Sequence, residues 1–434
     1  MLQTIKQKLL AHKTVLTLLL LLFGAILLSV IIPQQFNTPA EQFIIWQNAH
    51  QNWQSTIKLL GLHHIFTTPW FAVLLLLFLA SLSVATSTQF RIAWRRSFIP
   101  ETAAPKTGNN FNLPEEQLAQ TLKNQGFFKL GSSLFIKHPW GHWGIFLLHL
   151  GILLSIAGSL LLTVNAKRGS IQLIEGETHL PTDPWLYEEK GIMAESFKLP
   201  EAFTLDRITP VFWPQGGIKN LISEVRFISA DGKANKRTVT MNPILSYQNL
   251  RVYQDARFGR AFYVLFTDTK GNANGVVLDI PSPVKPDKAS YGNFDFPEIP
   301  YTIKAKYYID ADKKNLLSDN PLLAIRLVEL DKVLGQISLT KDQPTGQIGP
   351  YRVELVRAAQ WSSFTFMTTP GITAVFFGFF IFSLGGLLYY FTIPREITCF
   401  KTDKGFMLSW KCARFREHYQ DEYRSIIDHL KKMS

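Results

Sequence analysis

The sequence predicts a membrane protein with four transmembrane helices and a large external all-β domain, a sandwich or open barrel, between helices 3 and 4. Four apolar runs are each long enough to cross a bilayer as a helix. Between the third and fourth runs, β-branched and aromatic segments alternate with Gly, Asn, Asp and Pro. A mean hydropathy of +0.06 over 434 residues is too polar for a protein of many spans, so a few spans and one water-soluble domain fit best.

In chain order, these patterns divide the sequence into tails, spans, loops and one β domain. The segments are a cytoplasmic tail (1–14), the first span (15–32), an outer loop with an interfacial helix (33–69), the second span (70–89), a small cytoplasmic α/β unit (90–140), the third span (141–164), the external β domain (165–369), the fourth span (370–391) and a cytoplasmic basic tail (392–434).

The first span follows a short basic start and has no small-residue cleavage motif, so we expect a retained anchor rather than a signal peptide. Pro33 ends its helix, because proline cannot donate the next backbone hydrogen bond. The outer loop from Glu41 to Phe66 interleaves aromatic and aliphatic residues with amides, which predicts a helix lying in the membrane interface.

The uneven distribution of positive charge predicts the topology. The N-terminal tail, residues 87–140 and the residues after 391 hold 19 Lys and Arg against 9 Asp and Glu, whereas the remaining chain holds 26 against 24. Basic residues concentrate on cytoplasmic loops. We therefore expect both termini in the cytoplasm and the β domain on the outer side. Anionic membrane lipid is sufficient to explain the basic excess, and no nucleic-acid signature is present.

Residues 90–140 predict one helix and a hairpin. Glu115 and Glu116 follow Pro114 as in the first turn of a helix, which we expect to run to Asn124 and stop at Gly126. The next residues, 127–130 and 133–137, have the composition of two short strands. A unit of this size is too small to be an enzyme of its own.

The external domain is predicted to be β throughout and to lack thiol chemistry. Both cysteines, Cys399 and Cys412, fall in the C-terminal tail, so the domain cannot form a disulfide or bind metal through sulfur. The sequence contains no Cys-x-x-Cys-His, Gly-rich phosphate loop, zinc spacing or Gly-x-Ser-x-Gly. The predicted strands include 170–174, 221–228, 237–241, 260–267, 301–308, 322–329 and 351–357.

The third and fourth spans carry matching glycine stripes. Glycine recurs every seven residues in each span, at Gly144, Gly151 and Gly158 and at Gly371, Gly378 and Gly385. Seven residues are nearly two helical turns, so each set forms a smooth stripe on which membrane helices can approach closely. We expect the two spans to pack together on these stripes.

His149 is the one ionisable side chain within the third span, apart from His142 at its edge. It lies about 12 Å along the helix from Gly141, where lipid can satisfy neither imidazole nitrogen. The residues alone leave two interpretations open: a hydrogen bond to a neighbouring helix, or a ligand, for which a haem iron is well suited. A proton relay fits less well, because no second mid-span acid or base is present. At about 200° from Gly151, His149 should point away from the glycine stripe.

The other histidines give weaker signals. His138 and His142, at the cytoplasmic mouth of the same span, are predicted to be interface residues, with a role in haem access as the alternative. His63 and His64 on the outer loop are predicted to be solvated, with contact to haem or a partner as the alternative. His179 in the β domain is predicted to lie on the surface.

The stretch 239–259 combines a strand, a turn at Pro243 and an aromatic-rich second strand. This composition predicts β-sheet core. Arg251, Arg257 and Arg260 could pair with carboxylates of a ligand or partner, although arginines on strand edges are usually exposed.

Five short motifs, in this order, resemble the ResB family (also called CcsB) of System II cytochrome c biogenesis. They are Ile32-Pro33-Gln34-Gln35, Phe66–Ala72, His149-Leu150-Gly151 with Gly158, Met241-Asn242-Pro243 through Val252-Tyr253-Gln254, and Thr369-Pro370-Gly371. Two positions depart from the family pattern: Thr68-Pro69 replaces a serine, and Thr369 replaces an aspartate. The resemblance covers nearly the whole chain.

The resemblance implies a haem-handling subunit of a cytochrome c synthetase, or haem lyase, in the bacterial cytoplasmic (inner) membrane, with the β domain in the periplasm. Such a subunit works with ResC (CcsA), a multi-span protein with a Trp-rich external loop. Together they move haem b across the membrane and present it to the Cys-x-x-Cys-His of apocytochrome c. Carried over, the family's intramembrane histidine is His149, as one axial ligand of the haem iron.

By the same resemblance the chain is a non-autonomous subunit of a cytochrome c haem lyase complex, and whether it is itself an enzyme stays open. It lacks the Trp-rich loop, so it should need its partner. No catalytic residue is expected, because thioether formation is promoted by holding the reactants in position. Two other classes stay open: a structural scaffold that stabilises a multi-span partner without binding haem, and an accessory of small-solute transport.

Overall fold

The structure is a computed structural model that describes residues 2–35, 38, 40–99, 108–214, 216–329, 332–402 and 405–433. Its helices are α1 Leu2–Leu10, α2 His12–Ile31, α3 Ala40–Ala49, α4 Gln54–Leu60, α5 Pro69–Phe98, α6 Glu115–Asn124, α7 Trp143–Asn165, α8 Ile372–Phe391 and α9 Gln420–Met433. Its strands are β1 Asn109–Phe111, β2 Phe128–Leu130, β3 Leu134–Lys137, β4 Lys167–Ile174, β5 Thr178–His179, β6 Tyr187–Lys190, β7 Ala202–Phe212, β8 Ile218–Ile228, β9 Ala234–Thr240, β10 Leu245–Tyr247, β11 Leu250–Thr267, β12 Ala273–Pro281, β13 Ser290–Phe296, β14 Ile299–Tyr308, β15 Leu322–Glu329, β16 Lys332–Leu339, β17 Thr345–Ile348, β18 Tyr351–Thr368, β19 Arg395–Thr402 and β20 Gly405–Cys412.

The chain forms two compact units. The first is built from Met1–Asn165 and Pro370–Ser434, and the second from Ala166–Thr369. The regular elements described in the second unit are strands, β4 to β18, which confirms the predicted all-β domain. The predicted strand segments fall within these strands, except for the last residue of 237–241.

Among the described residues, four helices are long and apolar enough to cross a membrane: α2, α5, α7 with the turn before it, and α8. They coincide with the four predicted spans. Helix α5 is longer than the predicted second span, because its 30 residues continue to Phe98. Arg91, Arg95 and Arg96 therefore belong to the helix rather than to a loop. At about 1.5 Å per residue, α5 exceeds the hydrocarbon thickness, so one end must reach the headgroups.

Helices α7 and α8 pack on the predicted glycine stripes. A Cβ atom on Gly151 would lie 2.4 Å from the backbone nitrogen of Phe382, and one on Gly385 would lie 2.5 Å from that of Leu148. No larger residue fits at these distances without moving the helices apart. The Ser155 hydroxyl, in the same seam, donates to a carbonyl oxygen of α8 at 3.2 Å. The predicted packing of the third and fourth spans is confirmed.

The outer loop contains two short helices, α3 and α4, rather than the single interfacial helix predicted. Helix α4 ends at Gly61, whose φ of +64° is readily adopted by glycine. In α4, Ile57 is buried whereas Leu59 is 84% exposed, so the helix has both a packed side and an open apolar side. This arrangement fits a helix lying at the membrane surface.

The segment predicted to be a basic tail is folded, which corrects the sequence interpretation. Strands β19 and β20 complete a five-stranded sheet in the order β1-β20-β19-β3-β2. Helix α9 packs Ile426, Ile427 and Leu430 into one core with α6 side chains and the sheet. The predicted helix and hairpin of 90–140 are thus half of a small α/β unit, and its other half comes from residues after 394. Residues 100–107 lie outside the described chain.

In the second unit, one long sheet supports two smaller ones. Its strand order is β10-β11-β18-β4-β6, with β12 beside β11 and β17 beside β18. Phe258 of β11 joins a core with β7 and β8, and Phe262 joins a core with β14 and β15. The even spacing of the two residues places both on one face of β11. The sheets β5-β7-β8-β9 and β13-β14-β15-β16 therefore cover the same face of the long sheet.

Candidate functional site

His149 lies two turns into α7 and is half-buried. Its Nδ1 is 2.9 Å from the carbonyl oxygen of Ile145, four residues earlier in the same helix. A carbonyl oxygen can only accept a hydrogen bond, so Nδ1 must carry the proton. In the neutral ring, Nε2 then has the free lone pair. This is the tautomer of a histidine ligand whose second nitrogen is held by a backbone carbonyl.

His149 points away from the glycine seam, as predicted. The seam contacts α8, whereas Ile156, one heptad after His149, packs with Leu18, Leu74 and Phe78 of α2 and α5. Seven residues return to nearly the same side of a helix. His149 therefore lies on the side of α7 that faces α5.

His138 and His142 take part in the contact between the five-stranded sheet and the helices long enough to span a membrane. Nε2 of His142 lies 3.4 Å from a carboxylate oxygen of Glu396 on β19. His138 has a left-handed backbone, with φ of 56°, and stacks on Trp140 at 5.5 Å. Burial, followed by the charges of Arg395 and Lys137, lowers the pKa of His138. Both residues have the structural surroundings expected of interface residues.

A partly buried ion-pair network joins the two halves of the α/β unit. Glu422 of α9 pairs with Lys137 of β3 at 2.7 Å and with Arg395 at the start of β19. The Arg395 guanidinium also lies over the ring of Tyr419, 4.4 Å from its centroid. Burial raises the pKa of the neighbouring Glu396, but His142, Lys411 and Arg96 together lower it by more. The net effect is a lowered pKa.

His63 is buried, with 8% of its surface exposed, which corrects the prediction of a solvated residue. Its Nδ1 donates to the carbonyl oxygen of Pro33 at 3.2 Å, and its ring packs edge-on against Phe43 at 4.7 Å and Trp46 at 5.8 Å. Burial lowers the pKa of His63, and the hydrogen bond to Pro33 opposes this shift in part. His64, its neighbour, is exposed as predicted.

The Pro-Gln motif after the first span holds the outer loop in place through hydrogen bonds. This role was not predicted from the sequence. The Gln34 side-chain amide donates to the carbonyl oxygens of Ile32 at 2.8 Å and Leu62 at 2.9 Å. Its oxygen accepts from the backbone N–H of Ile65 at 3.3 Å. One buried amide thereby ties the end of α2 to the start of the second span. The sequence signal for this role is the position of Gln34, directly after the proline that ends α2. An amide that is buried there must find hydrogen-bond partners in the loop.

In the β domain, His179 is buried against Trp185 at a ring distance of 5.2 Å, which corrects the prediction of a surface residue. The stretch 239–259 forms sheet core as predicted, and the buried Gln254 donates to the Ser362 hydroxyl at 2.5 Å. The Asn242–Pro243 peptide bond is cis.

Two of the three arginines considered in the sequence, Arg257 and Arg260, have local partners. Arg257 pairs with Asp255 at 2.8 Å, and Arg260 donates to the carbonyl oxygen of Ser318 at 3.4 Å. Arg260 lines a cavity of about 80 Å³ together with Tyr307, whose pKa burial raises to about 12. A cavity of this size holds a few waters and is too small for a porphyrin. Within the described residues, no group of three or more His, Cys, Asp and Glu could hold a metal ion.

Comparison with known proteins places the chain among cytochrome c biogenesis proteins. Residues 13–318 match the ResB-like family. Cytochrome c biogenesis protein CcsB of Synechococcus sp. (strain JA-3-3Ab) is 23% identical over 410 residues, covering 87% of this chain and 78% of CcsB. Chloroplastic cytochrome c biogenesis protein CCS1 of Arabidopsis thaliana is 23% identical over 418 residues, covering 92% of this chain and 71% of CCS1.

A solved structure, that of cytochrome c heme lyase CcmF, aligns with 77% of this chain and 42% of its own. Its TM-score is 0.22 and its sequence identity 9%, which is too low to establish a shared fold. The family match is of a different kind, because it spans well over half of the sequence and includes α2, α5, α7 and most of the β domain. The chain belongs to the ResB-like family.

Proposed function

We propose that this chain acts in cytochrome c maturation as a haem-handling subunit that binds haem b in the membrane through His149. Its relatives CcsB and CCS1 are named for cytochrome c biogenesis. The observation that carries the proposal is the hydrogen bond from His149 Nδ1 to the carbonyl oxygen of Ile145, which leaves Nε2 with a free lone pair. Imidazole in this state is an ordinary axial ligand of haem iron.

Haem is cargo in this proposal, and the chain positions it without transforming it. A ResC (CcsA)-type multi-span partner would supply the second axial ligand and the Trp-rich outer surface. Apocytochrome c would receive the haem, whose vinyl groups add the cysteine thiols. Correct placement of the reactants accounts for such a reaction without a catalytic side chain from this chain.

The proposed location is the bacterial inner membrane, with both termini and the α/β unit in the cytoplasm. The basic end of α5 supports this orientation, since Arg95 and Arg96 lie in its last turn and Arg395 follows α8. The all-β domain would then lie in the periplasm, where partner and apocytochrome c could dock on it.

The test is to purify the full-length chain with its multi-span partner and record haem absorption spectra for wild type and His149→Ala. We expect the variant to lose most of its haem, and added imidazole to restore part of the bands by entering the vacated position. His142→Ala is the control, because it removes a histidine of the same helix end without removing the proposed ligand. Equal haem content in wild type and His149→Ala would contradict the proposal.

One observation favours a second candidate, the structural scaffold. The hydrogen bond to Ile145 already satisfies the imidazole N–H, so part of the polar requirement of His149 is met without iron. A scaffold predicts that His149→Ala lowers the yield of the complex while each recovered complex keeps its haem. Haem loss from an intact, fully assembled complex would argue for ligation instead.

A further inference from the structure

A row of five aromatic side chains connects the end of α5 with the neighbourhood of His149. On α5, Phe90, Trp94 and Phe98 are four residues apart, so they lie along one side of the helix. On α7, Trp143 and Phe146 lie about two turns and one turn before His149. We refer to these five residues as the aromatic ladder.

Each ring of the ladder contacts the next. The ring centroids of Phe98 and Trp94 lie 6.4 Å from that of Trp143, and the Phe90 centroid lies 5.7 Å from it. Phe90 also contacts Phe146 at 5.3 Å. The ladder therefore runs without interruption from the last turn of α5 to the residue one turn before His149.

The three rings of α5 keep much of their surface exposed, although they contact α7. Phe90 is 40% exposed, Trp94 48% and Phe98 54%, and the contacts with α7 are edge-to-face. At this end of α5, the buried residues are the small Ala93 and Ser97. A row of open aromatic faces is a surface on which a flat apolar molecule can stack.

A positively charged side chain, that of Arg91, lies beside the aromatic ladder on α5. Arg91 is exposed, and it precedes Trp94 by three residues and Phe98 by seven, so it lies on the same side of α5. Haem is a flat, apolar macrocycle with two carboxylates on one edge. Aromatic faces beside a guanidinium complement both of these features.

We propose that the aromatic ladder with Arg91 is the access route by which haem reaches His149 from the cytoplasmic side. The inference rests on the proposed function, because it takes His149 as the destination. The macrocycle would stack on successive rings while its carboxylates stay near Arg91 at the headgroup level. The ladder could instead seat a helix of the partner, and the experiment separates the two.

The experiment follows haem loading rather than cytochrome production. Haem-free full-length chain in lipid nanodiscs, alone and with its multi-span partner, is mixed with haemin, and the growth of the His149-dependent Soret band is followed by stopped flow. His149→Ala defines the background. We expect Phe90→Leu with Trp94→Leu to slow loading about tenfold, from the loss of two aromatic contacts, with an unchanged final band position. Arg91→Gln should slow it less.

Two controls keep the test sharp. Phe379→Leu removes an aromatic ring of α8 that is 56% exposed and lies off the ladder, and it should load at the wild-type rate. Trp94→Leu is also made alone, and Trp94→Phe, which keeps a ring in place, should recover most of the rate that Trp94→Leu loses, which excludes misfolding as the cause.

The outcomes are distinguishable. Ladder variants that load at the wild-type rate would overturn the access route and leave the haem-binding role of His149 intact. Ladder variants that load normally but no longer assemble with the partner would overturn it in favour of a helix-docking face. A wild-type chain with no His149-dependent band would overturn the proposed function itself, and the access route with it.

Discussion

At the residue scale, the sequence predicted where His149 lies but not how its nitrogens are used. Depth in the span and direction relative to Gly151 follow from helix geometry alone. The bond from Nδ1 to Ile145 depends on the side-chain rotamer, which sequence spacing does not determine. It is this bond that selects Nε2 as the available ligand atom.

His63 and His179 were misjudged for a related reason. Each is buried by residues that are distant from it in the sequence: Pro33 and Phe43 cover His63, and His179 pairs with Phe203 of β7. The sequence next to a histidine does not show which distant residues will bury it.

The burial of His63 leads to a pH prediction. Burial favours the neutral ring, so the folded pKa lies below the ordinary value of 6.5. An opened loop would take up the proton at a higher pH than the folded loop does. The stability that His63 lends to the loop is therefore complete above about pH 6.5 and falls as the pH drops below it.

The measurement is an NMR titration of ¹⁵N-histidine-labelled full-length protein in nanodiscs, with His63→Gln to assign the resonance. The His63 signal should titrate below pH 6.5. A midpoint at or above 6.5 would show that the ring is solvated, as the sequence first suggested, and would contradict the packing described for Phe43 and Trp46.

At the element scale, the glycine seam offers a matched pair of substitutions on adjacent residues of α8. A Cβ on Gly385 would lie 2.5 Å from a backbone nitrogen of α7, whereas the nearest atom to a Cβ on Gly386 is a side-chain carbon at 4.0 Å. Gly385→Ala should therefore destabilise the helix pair by about 1–3 kcal/mol through overpacking. Gly386→Ala should be neutral or gain up to about 1 kcal/mol in helix propensity.

Both variants can be compared as full-length protein in detergent, by heating and then measuring the monodisperse fraction by size exclusion. We expect a lower midpoint for Gly385→Ala alone. Equal midpoints for the two variants would mean that α7 and α8 do not approach as closely as the seam requires.

The sequence predicted elements well where the pattern is local. The spans, the strands of the β domain and helix α6 follow from hydropathy, alternation and helix-stop residues. The C-terminal strands were missed because β19 pairs with β3, more than 250 residues earlier in the chain. Nothing in the composition of residues 395–412 indicates such a distant partner, and their basic residues resemble a solvated tail.

At the scale of the whole molecule, the chain combines two compact units with separate tasks in the proposed function. The first unit holds the membrane helices, His149 and the aromatic ladder, and the α/β sheet joins its N-terminal and C-terminal parts. The second unit offers a large all-β surface without cysteine. The proposed function does not require a catalytic side chain from this second unit.

The proposed function requires that His149 binds the haem iron directly, and a ligand exchange is the most direct test of this. In the full-length complex with its multi-span partner, His149→Cys should retain haem and replace the imidazole by a thiolate. The absorption and electron paramagnetic resonance spectra should then change from a histidine-ligated to a thiolate-ligated type. Haem retained in His149→Cys with the wild-type spectrum would contradict the account.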